Sequence, residues 1–90
     1  MERESRPRPV EGYAQERLGH EVLLYHPGRT TVLYLNPAAH LVWQLCDGMR
    51  SVRDIQALLA AAYPDAGRDI AGDVGEALAR LSGFGAVIVE

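Results

Sequence analysis

The feature that most constrains this chain is the change of character at Asn36-Pro37. The stretch before it, Thr30-Thr31-Val32-Leu33-Tyr34-Leu35, is β-branched, aromatic or leucine, which suits a strand on a half-buried surface. Asn36 is a strong helix N-cap, and Pro37 suits the first helical position, where its missing N–H would have no helical partner. From Ala38 to Cys46 the apolar residues crowd as on a buried helix. Asp47-Gly48 then stops it, with glycine free to take the left-handed conformation. One strand therefore feeds directly into one helix.

The flanks extend this unit. Tyr13 to Leu18 is a weak strand and Glu21 to His26 a better one. Pro27-Gly28 is a turn signal that closes Glu21–His26 and Thr30–Leu35 into an antiparallel hairpin. In the last strand Thr31, Leu33 and Leu35 share one face and Val32 and Tyr34 the other. Both faces are partly apolar, so the pattern leaves open which one packs the helices. Ser51 with Asp54 reads as a capping box for a second helix, whose Val52, Ile55, Leu58, Leu59 and Ala62 follow helical spacing to a stop at Tyr63–Gly67. Asp69 caps a third helix with the stripe Ile70, Val74, Ala77, Leu78 and Leu81, broken at Ser82-Gly83-Phe84-Gly85. Gly72 and Gly75 inside it cost roughly 1 kcal/mol each relative to alanine. Ala86–Val89 reads as an extended segment folded back on the domain. The order β-β-β-α-α-α is that of an α+β domain.

Composition limits what such a domain can be. With 48% hydrophobic residues in 90, a core can form without metal or crosslink, and a single cysteine, Cys46, allows no internal disulfide. Cys46 lies in an apolar helical pattern, where a small buried hydrophobe is the simpler reading than a reactive thiol. Residues 1–9 are charged and proline-rich, and predict a flexible arm ahead of one domain at residues 10–90. They lack the apolar segment of a secretory signal, and no apolar run approaches the ~20 residues of a membrane span. A cytoplasmic location is the expectation. The chain has no lysine; through Asn36 five acids face five arginines, and beyond it seven acids face four arginines. Neither half carries the basic excess that nucleic-acid binding needs.

Few residues of the chain could carry chemistry. His20, His26, His40 and Cys46 show no zinc-type spacing, and the histidines are expected at solvated strand ends and in a first helical turn. Ser5, Ser51 and Ser82 sit in an arm, a cap and a helix terminus, none in a nucleophile elbow. No phosphate loop is present. The expectation is a protein that is not an enzyme and uses no cofactor or metal.

Two features remain. The second and third helices, joined by Pro64-Asp65-Ala66-Gly67, form a helix-turn-helix candidate, and with a β element beside them a winged helix that binds DNA. Against this, the would-be recognition helix carries Asp69, Asp73 and Glu76 against Arg80 alone, where base and phosphate contacts call for arginine, lysine, asparagine or glutamine. The second feature is the strand Thr30–Leu35. It comes last in the meander, so one edge has no strand partner, and it carries no charge to protect that edge. Such an edge suits addition of an extended peptide, which gains main-chain hydrogen bonds and side-chain pockets. The simpler alternatives are cover by Ala86–Val89 or by a second copy in a homodimer.

The same residues carry a family likeness. Leu35-Asn36-Pro37-Ala38-Ala39, Trp43-Gln44-Leu45-Cys46-Asp47-Gly48, Ser51-Val52-Arg53-Asp54-Ile55, Tyr63-Pro64 and Asp73-Val74 with Leu78 and Leu81 resemble the PqqD family, from about Tyr13 to the C-terminus. These small proteins belong to pyrroloquinoline quinone biosynthesis, and the same domain is the precursor-peptide recognition element of ribosomal peptide natural-product pathways, lasso peptides among them. The resemblance implies a three-stranded antiparallel sheet followed by three helices, winged-helix-like. It implies that a leader peptide adds as a fourth strand, with Thr31, Val32, Leu33, Tyr34 and Leu35 supplying the edge and Val74, Ala77, Leu78, Arg80 and Leu81 the helical wall. Asp73 and Glu76 near that groove would favour a leader with basic residues. Members have no catalysis of their own and deliver the peptide to a partner such as a radical S-adenosylmethionine enzyme, or a leader peptidase and cyclase.

Overall fold

The structure is a computed structural model and describes residues 2–64 and 69–89. In chain order the elements are β1 (Arg8–Pro9), β2 (Ala14–Leu18), β3 (Glu21–Tyr25), β4 (Val32–Leu35), α1 (Pro37–Leu45), α2 (Val52–Ala62), α3 (Ile70–Phe84) and β5 (Val87–Ile88). The Asn36-Pro37 junction forms as its residues dictate: β4 ends at Leu35, and the Asn36 side chain accepts the Ala39 N–H at 2.8 Å to open α1. Thr30 and Thr31 lie before the strand rather than in it.

The main sheet has the order β2-β3-β4 and is antiparallel throughout. Val22 pairs with Leu35 and Leu24 with Leu33, which aims these four side chains at the helices. Val22, Leu24 and Leu35 are buried and Leu33 half-buried. The question left open by the alternation is thereby answered: Leu33 and Leu35 pack the core, while Val32 and Tyr34 remain 44% and 51% exposed on the outer face.

α2 opens with both capping-box bonds, Asp54 N–H to Ser51 Oγ at 3.1 Å and Ser51 N–H to Asp54 Oδ2 at 3.0 Å. The first two helical N–H groups, at Val52 and Arg53, would still lack acceptors. Residues 3–9 supply them. The Ser5 carbonyl takes the Val52 N–H at 2.8 Å and the Arg3 carbonyl takes the Arg53 N–H at 3.0 Å. The Pro7 carbonyl accepts from Gly48 at 2.8 Å, the Pro7 side chain is fully buried, and β1 pairs antiparallel with β5. The segment expected to be a loose arm thus lies along the domain, held by its backbone carbonyls and one proline.

α3 begins at Asp69, whose side chain accepts the Gly72 N–H at 2.9 Å. It runs through Ser82 and Gly83, which were expected to break it, and ends at Gly85. Gly85 has φ +91° and serves as a left-handed C-cap, donating to Leu81 and Ser82 carbonyls. The Asp65–Gly67 part of the connection expected between the second and third helices lies outside the described residues. Ile55, Leu59, Leu78 and Leu81 meet Leu24 and Leu35 in one core. Leu58, read from spacing as core, is 42% exposed, because the stripe of α2 that packs inward is narrower than the apolar run.

Candidate functional site

Among the described residues, β4 has β3 on one side and no strand on the other. The C-terminal segment, the nearest candidate to cover that edge, instead pairs with β1 in a separate two-stranded sheet. Arg80 on α3 donates from Nη2 to the Tyr34 carbonyl at 3.2 Å, so this carbonyl points away from β3 and toward α3. Along an antiparallel strand, alternate residues aim their backbone groups to the same side. The N–H and C=O of Val32 and Tyr34 therefore face the open edge, and those of Leu33 and Leu35 face β3.

A cleft of about 120 Å³ opens between α1, α2 and α3, at the Asn36 end of β4. Asn36, Ala38, Ala39 and Val42 bound it on the α1 side, with Leu59 of α2, and Asp73, Glu76, Ala77 and Arg80 line it on α3. These α3 residues recur at spacings of three, one and three, one stripe of a helix. At the C-terminal end of α3 the helix is tied to the hairpin. Arg29, in the loop between β3 and β4, donates from Nη1 to the Phe84 carbonyl at 2.6 Å and to the Tyr13 hydroxyl at 2.9 Å. Its guanidinium also sits 5.3 Å from the Phe84 ring centroid.

The residues singled out from sequence are not all brought to this cleft. Thr31 is exposed and precedes β4, while Val32 and Tyr34 offer backbone to the edge and side chains to the outer face. Leu33 and Leu35 turn their side chains to the core. Val74, Leu78 and Leu81 are each 0% exposed and support the wall from behind, whereas Ala77 and Arg80 line it. Asn36 and Ala38 were not anticipated as lining. Their signal was their position at the strand-to-helix junction, which reads first as capping.

Two groups have shifted acidity. His40, expected in solvent, is buried with Nε2 2.7 Å from Gln15 Oε1 and its ring stacked near Trp43. Burial, and then the Arg17 charge, hold its pKa below the ordinary histidine value. Cys46 is buried and its Sγ donates to the Val42 carbonyl at 3.1 Å. Burial, and then Asp47, push its thiol up to about 12, so it stays protonated and inert at neutral pH. Among the described residues no three His, Cys, Asp or Glu side chains gather as a metal site, and no helix is long and apolar enough to cross a membrane.

Residues 21–87 match the family described as Coenzyme PQQ synthesis protein D (PqqD). The chain belongs to the PqqD family. Its fold is similar to that of the solved structure of TbiB1 in complex with the TbiA(beta) leader peptide, with a TM-score of 0.69 and 18% sequence identity over 89% of this chain and 93% of that one. No curated protein sequence matches. In this PqqD-family chain the three-stranded antiparallel sheet followed by three helices is the expected architecture, and the short β1–β5 ribbon lies beside it.

Proposed function

We propose that this PqqD-family chain is a non-catalytic adaptor that binds the leader of a ribosomally made precursor peptide by strand addition along β4 and presents it to a modifying enzyme. The partner would be a radical S-adenosylmethionine enzyme or a leader peptidase with its cyclase. The observation that carries this reading is the open edge of β4, where Arg80 of α3 reaches the Tyr34 carbonyl beside a cleft bounded by α1, α2 and α3. An extended chain laid there gains main-chain hydrogen bonds, and the cleft takes one of its side chains. Family membership supports the reading, as does the similar fold of TbiB1, which was solved with a leader peptide.

The DNA-binding alternative finds no support. The residues of α3 that line the cleft include Asp73 and Glu76, which repel phosphates. Titration of the chain with the labelled leader of a precursor gene neighbouring its own tests the proposal. Binding tighter than ~100 μM, or about −5.5 kcal/mol, is expected, and none at that concentration refutes it.

A further inference from the structure

Arg80 occupies the place an incoming strand would need. Its Nη2 donates to the Tyr34 carbonyl, an acceptor that a fourth strand would use for one of its own N–H groups. The choice of partner is informative. Glu76 lies four residues earlier on the same helix, the spacing at which Glu and Arg pair on a helix surface. Yet among the described residues neither Arg80 nor Glu76 enters an ion pair, and Arg80 reaches across to the strand instead. Both also line the cleft. A peptide that adds to β4 therefore displaces a cation from the edge and leaves it at the mouth of the cleft, beside the new strand.

We propose that Arg80 determines specificity in the peptide site: it guards the Tyr34 carbonyl against indifferent strands and selects a leader that carries an Asp or Glu side chain beside this position. This rests on the strand-addition reading above. A neutral peptide that takes the carbonyl breaks the Arg80 hydrogen bond and returns only its own. A peptide with a carboxylate there gives the guanidinium a charged acceptor, and hydrogen bonds to charged groups are the stronger kind. Glu76 competes for the freed cation and, with Asp73 in the same cleft, favours basic residues elsewhere in the leader, so the acidic preference is confined to the position beside Arg80.

The test is a titration of the full chain with the leader encoded beside its gene and with the same leader carrying Asp→Asn or Glu→Gln at each acidic position in turn. One amidated leader should bind the natural chain about three- to tenfold more weakly than the unaltered one. Arg80→Ala should abolish that difference while binding the amidated leader as tightly as the natural chain does, or more tightly, because the guarding bond is gone. Glu76→Gln should widen the difference. Circular dichroism checks that both variants keep the fold, and neither side chain is buried. Equal binding of acidic and amidated leaders, a leader without any acidic residue in its bound segment, or a difference that survives Arg80→Ala overturns the role of Arg80 while strand addition stands. No binding of any leader overturns both.

Discussion

The tie between the hairpin and the last helix offers a quantitative check on how the cleft is held. Arg29→Ala removes a charged donor at 2.6 Å from the Phe84 carbonyl and at 2.9 Å from the Tyr13 hydroxyl, together with its contact to the Phe84 ring. A cation at a helix C-terminus is worth about 0.3–1 kcal/mol and an exposed cation–π contact about 0.5–1 kcal/mol. The Phe84 carbonyl is not orphaned, because the Tyr13 hydroxyl donates to it at 3.3 Å. The helix-end term and the hydrogen bond describe the same contact, and solvent screens this exposed site, so the total should stay near 1–2 kcal/mol. For a domain of this size that lowers the thermal midpoint by about 4–16 °C. Thermal unfolding followed by circular dichroism measures it. Tyr13→Phe alone should cost less than about 1 kcal/mol, since the Arg29 bond remains. The double variant should cost more than the sum by about 0.5 kcal/mol, because only then does the carbonyl lose both protein donors. A fall under 2 °C for Arg29→Ala, with strictly additive variants, refutes the tie.

Other consequences can be measured in the same way. Ser51→Ala removes one half of the capping box and should cost about 1 kcal/mol in chemical denaturation, with the loss concentrated in α2 exchange. His40 has a folded pKa below its ordinary value of ~6.5, so its contribution to stability is complete above that pH and fades as pH falls, because the unfolded chain takes up the proton first. The midpoint of the natural chain should drop more steeply between pH 7 and 5 than that of His40→Gln, and parallel curves contradict the assignment. Ala38→Phe fills the cleft from the α1 side, so leader affinity should fall at least about tenfold while the unfolding free energy changes by less than about 1 kcal/mol.

Much of this architecture was legible in the chain because local rules and tertiary demands agree. Asn36-Pro37, Ser51 with Asp54 and Asp69 each announce a helix start, and each side chain accepts the N–H three residues on. The limits are equally physical. Residues 3–9 look like a free arm because side-chain composition says nothing of backbone carbonyls, and those carbonyls satisfy the first donors of α2. Ser82 and Gly83 look like a break because their propensities are weak. The helix continues past them to Gly85, where the left-handed conformation closes it. In α3 the apolar stripe marks the core, and only its Ala77 also lines the cleft. Val74 and Leu78 face inward, and the rest of the α3 side of the cleft belongs to the flanking polar residues Asp73, Glu76 and Arg80, of which Arg80 reaches β4. Periodicity separates buried from exposed, whereas a groove that takes a ligand draws on the border between them.

The central claim, that β4 accepts a foreign strand, is most directly tested by amide hydrogen exchange of the free and leader-saturated chain, resolved residue by residue. The Val32 and Tyr34 N–H groups, open in the free chain, should become protected by at least about tenfold on binding, while Leu33 and Leu35, already turned to β3, change little. Unchanged exchange at Val32 and Tyr34 under saturating leader would show that the peptide binds elsewhere.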